Sequence, residues 1–214
     1  MITTLYLVRH GETDYNLRRA VQGRRINAPL NETGHAQAAR LGARFSDVPL
    51  TAVYASPLVR ARQTAAAIHA HHPTVPFVLD PDLEEMSWGV LEGAPDTDAT
   101  RAAFEAMYRR WEDGDFEARL DEGESILDVQ TRALRAWDRL MREQSGGTVA
   151  VVTHGRLIRV LLASVLPEYG LARMHDLFHA NTSVNHLVVE GDACRAERLN
   201  CTLHLTDENV GEAV

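Results

Sequence analysis

The 214-residue chain has little of what would place it in a specialised class of protein. It has two cysteines, Cys194 and Cys201, which is too few for a disulfide-stapled scaffold, and we expect both to be reduced thiols. No apolar run approaches the ~20 residues of a membrane span, so no membrane partner is expected. The N-terminus shows no basic leader followed by an apolar stretch, which predicts a cytoplasmic protein.

Basic residues are also scarce, since 22 Lys and Arg stand against 30 Asp and Glu, for a formal net charge of −8. A nucleic-acid binder normally presents a basic face, so nucleic acid is not expected as a partner. Five of the arginines nevertheless lie within the first 25 residues: Arg9, Arg18, Arg19, Arg24 and Arg25. This clustering indicates a locally positive region that suits an acidic ligand.

Two short apolar segments are each followed by a His-Gly pair with an arginine beside it. Residues 5–8 (Leu-Tyr-Leu-Val) are followed by Arg-His-Gly, and residues 148–153 (Thr-Val-Ala-Val-Val-Thr) are followed by His-Gly-Arg. If both segments are parallel neighbours in a sheet, the imidazoles of His10 and His154 meet at its carboxyl edge, where ligands bind in open α/β sheets. Guanidinium groups match phosphate oxygens, and histidine serves as nucleophile or base. The sequence therefore predicts a phosphate-handling active site.

The rest of the chain alternates predicted strands and helices, which favours a three-layer α/β/α sandwich with a mainly parallel mixed sheet. A helix is expected to begin at Ser56 as N-cap, with Pro57 in its first turn, and to continue to about His71. The other expected strands are 50–55, 75–79, 183–189 and 194–199, and the other expected helices are 33–45, 99–111, 126–140 and 157–166. We expect one domain over residues 1–205, an insertion at about 80–124, and a flexible acidic tail at 206–214.

Three linked segments resemble the histidine phosphatase superfamily, in its phosphoglycerate mutase-like branch and among its phosphatase-type members. They are residues 7–13 (Leu-Val-Arg-His-Gly-Glu-Thr), 56–64 (Ser-Pro-Leu-Val-Arg-Ala-Arg-Gln-Thr) and 152–155 (Val-Thr-His-Gly), in the order of that family. The resemblance covers roughly residues 3–190. It implies that His10 attacks phosphorus to form a phosphohistidine, which water then hydrolyses.

The same resemblance implies the groups that hold the phosphate. Arg9, Arg60 and His154 would bind the phosphoryl oxygens, with Asn16 and Gly155 as further contacts. The loop at Gln22 and Gly23 would approach the substrate. Because two guanidinium groups and an imidazolium neutralise three phosphoryl oxygens, neither a metal ion nor another cofactor is expected.

A proton donor for the leaving group is implied within residues 83–89 (Leu-Glu-Glu-Met-Ser-Trp-Gly). Glu85 matches the position of the family's acid, and Glu84 is the alternative. Burial beside Met86 and Trp88 would favour the protonated acid, whereas neighbouring arginines would favour the carboxylate. The sequence leaves this balance open.

The remaining basic residues are assigned structural positions. Arg62 is expected on the outside of its helix, and a metal site is not expected at the helix end that carries His69, His71 and His72. His175, His179 and His186 are expected to be structural or rim residues.

The sequence is compatible with three functions. A phosphatase acting on a small-molecule phosphate ester is favoured over a cofactor-dependent phosphoglycerate mutase, because the insertion lacks the Arg-Arg-Ser-Tyr/Phe segment that mutases carry. A non-catalytic phospho-ligand-binding protein is disfavoured, because His10, His154, Arg9 and Arg60 are all present. The identity of the ester and the formation of a homodimer are left open.

Overall fold

A six-stranded sheet organises residues 1–206, which are the residues that the computed structural model describes; all but the first residue of the predicted tail lie outside them. The strands are β1 (Ile2–Arg9), β2 (Ala52–Ala55), β3 (Phe77–Leu79), β4 (Thr148–Thr153), β5 (Val184–Glu190) and β6 (Ala193–Cys201). Their spatial order is β3-β2-β4-β1-β5-β6. The first four are mutually parallel, whereas β5 and β6 run antiparallel to their neighbours. The sheet is therefore mixed and mainly parallel, as predicted.

The register of β1 against β4 decides where the two histidine motifs lie. Arg9 is opposite Thr153, so the next residue of each chain segment, His10 and His154, leaves the sheet at the same place. Both strands are β-branched and apolar, and both are buried on their two faces, as is usual for parallel strands that are covered by helices. The two motifs therefore lie side by side at the carboxyl edge of the sheet, as predicted.

Helices cover both faces of the sheet. They are α1 (Asp14–Leu17), α2 (Glu32–Phe45), α3 (Val59–His69), α4 (Asp98–Glu112), α5 (Ile126–Glu143) and α6 (Gly155–Val165). On one face, α2 and α3 bury Leu41, Phe45 and Ile68 against the strands. On the other face, α5 and α6 bury their apolar stripes, of which Trp137 and Leu161 are members. The predicted three-layer α/β/α sandwich is confirmed.

The start of α3 differs from the prediction. The helix begins at Val59 with Leu58 as its N-cap residue, rather than at Ser56 and Pro57. The backbone of Leu58 is extended, with φ −64° and ψ 136°, and its N–H donates to Oγ of Ser56 at 3.3 Å. Ser56 is therefore not the N-cap of this helix. Its hydroxyl also contacts His154 across the sheet.

The segment at residues 80–124 shares the core of the sheet. Leu83, Met86, Met107 and Trp111 are buried in the same cluster as the inner residues of α5 and α6. The indole N–H of Trp111 donates to the carbonyl oxygen of Ala118 at 3.0 Å, which satisfies its polar atom in the apolar interior. This packing places the loop that carries Glu85 next to the carboxyl edge of the sheet.

Two smaller expectations can be compared with the structure. Cys194 and Cys201 are free thiols, as predicted. Within residues 1–206, every helix is too short or too polar to cross a bilayer.

Candidate active site

The two histidines of the paired motifs lie next to each other at the carboxyl edge of the sheet. The ring centroids of His10 and His154 are 5.0 Å apart. His10 is 3% exposed and His154 is fully buried. The tertiary structure thus joins two motifs that are about 140 residues apart in the chain.

His10 is held in one tautomer by its backbone neighbour. Its Nδ1 lies 2.7 Å from the carbonyl oxygen of Gly11, which can only accept, so Nδ1 carries the proton. Its Nε2 is then unprotonated, and its lone pair accepts a hydrogen bond from Nε of Arg60 at 3.2 Å. Burial, followed by the charges of Arg60 and Arg9, holds the pKa of His10 well below its usual range. The imidazole is neutral at neutral pH, as a nucleophile must be.

Arg60 is fixed by carbonyl groups of the loop that covers it. The side chain is fully buried in the first turn of α3, and it donates to the carbonyl oxygens of Ile26 (2.7 Å) and Gly23 (3.3 Å). Burial lowers the pKa of Arg60 to about 10, so it remains a cation at neutral pH. The predicted substrate loop at Gly23 therefore also holds this guanidinium in position beside His10.

Several buried nitrogen atoms around His10 have no hydrogen-bond partner within residues 1–206. They are Nε of Arg9, Nδ1 of His154 and Nε2 of Gln22. Other atoms of these side chains are bound: Nη1 of Arg9 donates to the carbonyl oxygen of His179 at 2.8 Å, and Nε2 of His154 contacts Oγ of Ser56 at 2.8 Å. Buried polar atoms are nearly always paired, so these nitrogen atoms are suited to bind the oxygen atoms of an anion.

Asn16 and Gly155 adjoin this group. The amide oxygen of Asn16 accepts from Thr13 in the capping box of α1 and from Asn181 at 3.3 Å, which leaves its N–H groups to donate. A Cβ atom at Gly155 would lie 3.4 Å from Nε of Arg9. The start of α6 therefore lies within van der Waals reach of the guanidinium group.

Glu85 lies at the amino end of α6. Its carboxyl group is 7% exposed and accepts from the backbone N–H groups of Met86 (2.9 Å), Arg156 (3.2 Å) and Leu157 (3.2 Å). Glu84, the alternative acid, instead forms an ion pair with Arg24 at 2.5 Å. Of the two candidates, Glu85 is the one whose carboxyl group reaches the amino end of α6, the helix that begins directly after His154.

Arg132 on α5 contributes to the site although sequence reasoning did not single it out. It is buried, forms an ion pair with Glu124 at 2.9 Å, and donates to the carbonyl oxygens of Glu84 (2.6 Å) and Glu85 (3.1 Å). The sequence signal was an arginine next to Ala133, within the apolar stripe of an amphipathic helix. A charge at a buried position indicates a specific partner.

The buried histidines predict how stability depends on pH. Burial lowers the pKa of His179 to about 3, and it holds those of His10 and His154 well below their usual range. Below about pH 6.5 the unfolded chain binds protons at these positions and the folded chain does not, so the free energy of unfolding decreases as pH falls. We expect losses of up to about 1.4 kcal/mol per pH unit for each histidine, measured by urea unfolding from pH 7.5 to 4.5. A flat profile across this range would contradict the burial of neutral imidazoles.

The chain was compared with known proteins. The family model of the histidine phosphatase superfamily (branch 1) matches residues 5–202. A curated relative, the probable phosphoglycerate mutase GpmB of Erwinia tasmaniensis, is 37% identical over 162 residues, which are 76% of this chain and 74% of that protein.

Solved structures agree with this assignment. YhfR of Bacillus stearothermophilus superposes with a TM-score of 0.85 and 33% identity over 95% of this chain and 100% of that one. A mycobacterial glucosyl-3-phosphoglycerate phosphatase has a TM-score of 0.80 and 26% identity, and the match covers 94% and 99% of the two chains. The paired histidine motifs, the sheet and these matches have one explanation: the chain belongs to the histidine phosphatase superfamily, as an enzyme of its branch 1.

Proposed function

We propose that this enzyme is a metal-independent phosphatase that hydrolyses small-molecule phosphate monoesters through a phosphohistidine on His10. The observation that carries the proposal is the unprotonated Nε2 of His10 beside the guanidinium group of Arg60, in a site where buried N–H groups of Arg9 and Gln22 have no hydrogen-bond partner within residues 1–206. Phosphoryl transfer requires a positioned nucleophile and neutralisation of the phosphoryl oxygens, and these groups supply both.

In the first step, the Nε2 lone pair of His10 forms a bond to phosphorus while the bond from phosphorus to the ester oxygen breaks. The proton on Nδ1, held by the carbonyl of Gly11, stabilises the positive charge that develops on the ring. Arg60 and Nδ1–H of His154 donate to the phosphoryl oxygens. Glu85 gives its proton to the departing oxygen, so the alcohol leaves neutral.

In the second step, water attacks the phosphohistidine. Glu85, now a carboxylate, accepts a proton from the water as its oxygen bonds to phosphorus. The bond from phosphorus to Nε2 breaks, inorganic phosphate leaves, and His10 returns to its neutral tautomer. Each group is restored, so the cycle consumes only ester and water.

Chelation is expected to leave activity intact. The proposed phosphate-binding groups include the guanidinium groups of Arg9 and Arg60, whose positive charge disfavours a nearby metal ion, and residues 1–206 contain no close cluster of three potential ligands among His, Cys, Asp and Glu. We expect p-nitrophenyl phosphate to be hydrolysed at the same rate in buffer alone and in buffer that contains EDTA at about 5 mM. Loss of activity that added Mg²⁺ or Zn²⁺ restores would contradict metal-independent catalysis.

A mutase is the second candidate, because a relative at 37% identity is named a probable phosphoglycerate mutase. A mutase must return the phosphoryl group to a second hydroxyl before water attacks. We expect 3-phosphoglycerate supplied with 2,3-bisphosphoglycerate to release phosphate without forming 2-phosphoglycerate, as followed by ³¹P NMR. Formation of 2-phosphoglycerate faster than release of phosphate would establish the mutase instead.

A further inference from the structure

Arg132 places a guanidinium group in the apolar interior of the sandwich. The residue is 6% exposed and lies on the inward face of α5, next to the buried Ala133. A buried charge is costly unless it is paired and fully hydrogen-bonded. The reaction proposed above gives Arg132 no role, although its contacts lead directly to the proton donor.

All five N–H groups of Arg132 have acceptors. Nε and Nη2 donate to the two carboxylate oxygens of Glu124 at 2.9 and 3.1 Å. Nη1 donates to the carbonyl oxygens of Asp82 (3.0 Å) and Glu84 (2.6 Å), and Nη2 also donates to that of Glu85 (3.1 Å). The rigid, planar fork of the guanidinium group makes this complete set of bonds possible. Arg132 therefore binds the main chain at Glu85 and just before it.

Glu124 binds the main chain on the other side of Glu85. Its Oε2 accepts from the backbone N–H of Ser87 at 2.8 Å, and its own backbone N–H donates to the carbonyl oxygen of Ser87 at 2.9 Å. The Arg132–Glu124 ion pair thus holds peptide groups on both sides of the acid. The side chain of Glu85 takes no part in these bonds, and its carboxyl group accepts instead from the amino end of α6.

The same ion pair is linked to the loop that holds Arg60. Nη1 of Arg24 donates to Oε1 of Glu124 at 3.3 Å, and the carbonyl oxygen of the preceding residue, Gly23, accepts from Nη2 of Arg60 at 3.3 Å. One framework therefore supports both the acid and a phosphate-binding cation. Because Arg24 also pairs with Glu124, this carboxylate keeps a cationic partner when Arg132 is replaced.

We propose that the Arg132–Glu124 pair positions the proton donor, in that it fixes the main chain so that the carboxyl group of Glu85 lies where the ester oxygen departs. The inference rests on the proposed phosphatase function and adds positioning residues to it. A general acid must lie within hydrogen-bond reach of the departing oxygen, and a displacement of about 1 Å can cost about 10²-fold in rate. Buried ion pairs are often no more stabilising than apolar residues of similar size, so stability alone does not account for these charges.

The test compares two esters that share a phenyl ring. Phenyl phosphate releases a basic phenolate that benefits from a proton, whereas p-nitrophenyl phosphate releases an ion that leaves without one. We expect Arg132→Met to reduce kcat/KM, which includes the departure of the ester oxygen, by about 10- to 100-fold for phenyl phosphate. The loss for p-nitrophenyl phosphate should be no more than about 3-fold, because its leaving group does not need the acid.

A double-mutant cycle distinguishes positioning from a purely structural role. If Arg132 acts through Glu85, Arg132→Met should cost no more than about 2-fold in kcat/KM for phenyl phosphate when Glu85→Gln is already present. Arg142→Met is the matched control, because Arg142 is exposed in the last turn of the same helix. This control should leave the hydrolysis of both esters unchanged.

Arg132→Lys provides a second variant if Arg132→Met fails to fold, because it keeps a positive charge beside Glu124. An ammonium group has three donors and cannot replace the five bonds of the guanidinium group. We expect a loss of about 3- to 10-fold for phenyl phosphate and no change for p-nitrophenyl phosphate. Wild-type rates on both esters would show that charge alone is sufficient, and would overturn the inference.

The outcomes separate this inference from the function on which it rests. Equal losses on both esters in Arg132→Met, or losses that are fully additive with those of Glu85→Gln, would show a structural role for Arg132. Either result overturns the inference while the phosphatase stands. If wild-type enzyme hydrolyses neither ester, the proposed function itself fails.

Discussion

Replacing His10 with alanine is expected to reduce turnover of every phosphate ester by at least about 10⁴-fold, because the variant lacks the atom that bonds to phosphorus. In wild-type enzyme, substrate labelled with ³²P should give an acid-labile phosphoenzyme. In His10→Ala no label should be retained. Two measurements, steady-state release of phosphate and rapid-quench labelling, follow the same step independently.

The matched control for this variant is His35→Ala, because His35 is exposed on α2 and its side chain makes none of the described contacts of the site. It should retain wild-type turnover and labelling. Persistent acid-labile label in His10→Ala would move the nucleophile to another histidine, and His154 would be the first to examine because its Nδ1 is unpaired within residues 1–206. A loss of label together with unchanged turnover would exclude the covalent route.

Replacing Glu85 with glutamine is expected to slow hydrolysis of alkyl phosphates by about 10²- to 10⁴-fold, the usual contribution of a positioned general acid. The p-nitrophenolate ion leaves without a proton, so p-nitrophenyl phosphate should lose no more than about 10-fold. The measurement is a plot of log kcat/KM against the pKa of the leaving group. The plot should be steeper for the variant than for the wild type.

Glu84→Gln is the control for Glu85→Gln, since it makes the same chemical change one residue earlier, in a side chain that is paired with Arg24. It should leave the dependence on leaving group unchanged. Glutamine at position 85 places an amide N–H group opposite backbone N–H groups of α6, which destabilises the fold by about 1–3 kcal/mol. Glu85→Asp therefore provides a second variant. Equal losses on aryl and alkyl esters would remove Glu85 as the acid.

Local sequence was sufficient for the elements of the sheet and for the two histidines at its carboxyl edge. The apolar runs before His10 and His154 are buried strands, and both histidines stand at their carboxyl ends. Such strands are recognisable because burial on both faces demands continuous β-branched and apolar residues. The predicted start of α3 was wrong by two residues, since the N-cap residue is Leu58 rather than Ser56, whose hydroxyl contacts a residue that is distant in the chain.

Basic residues outside the motifs could not be assigned from the sequence. His179 was expected at the rim or in a structural position, and the structure buries it beside Arg9, with no hydrogen-bond partner for either ring nitrogen among residues 1–206. Arg156 follows the second His-Gly motif, but its neighbours in the sequence do not predict the three aromatic rings that surround it in the structure. These rings come from Trp88, Tyr108 and Trp111, so the enclosure is a property of the folded insertion.

The sequence by itself determined the family, the alternation of strands and helices, and the histidine and arginine motifs at the carboxyl edge of the sheet, because each of these depends on short runs of adjacent residues. Only the tertiary structure decided the tautomer of His10, the placement of Glu85 rather than Glu84 against the amino end of α6, and the enclosure of Arg156 by aromatic rings. These features depend on which atoms meet across the fold and on how far water is excluded from them. Burial sets the charge state and the unused hydrogen-bonding capacity of a side chain. Burial depends on tertiary packing rather than on the residues that are adjacent in sequence.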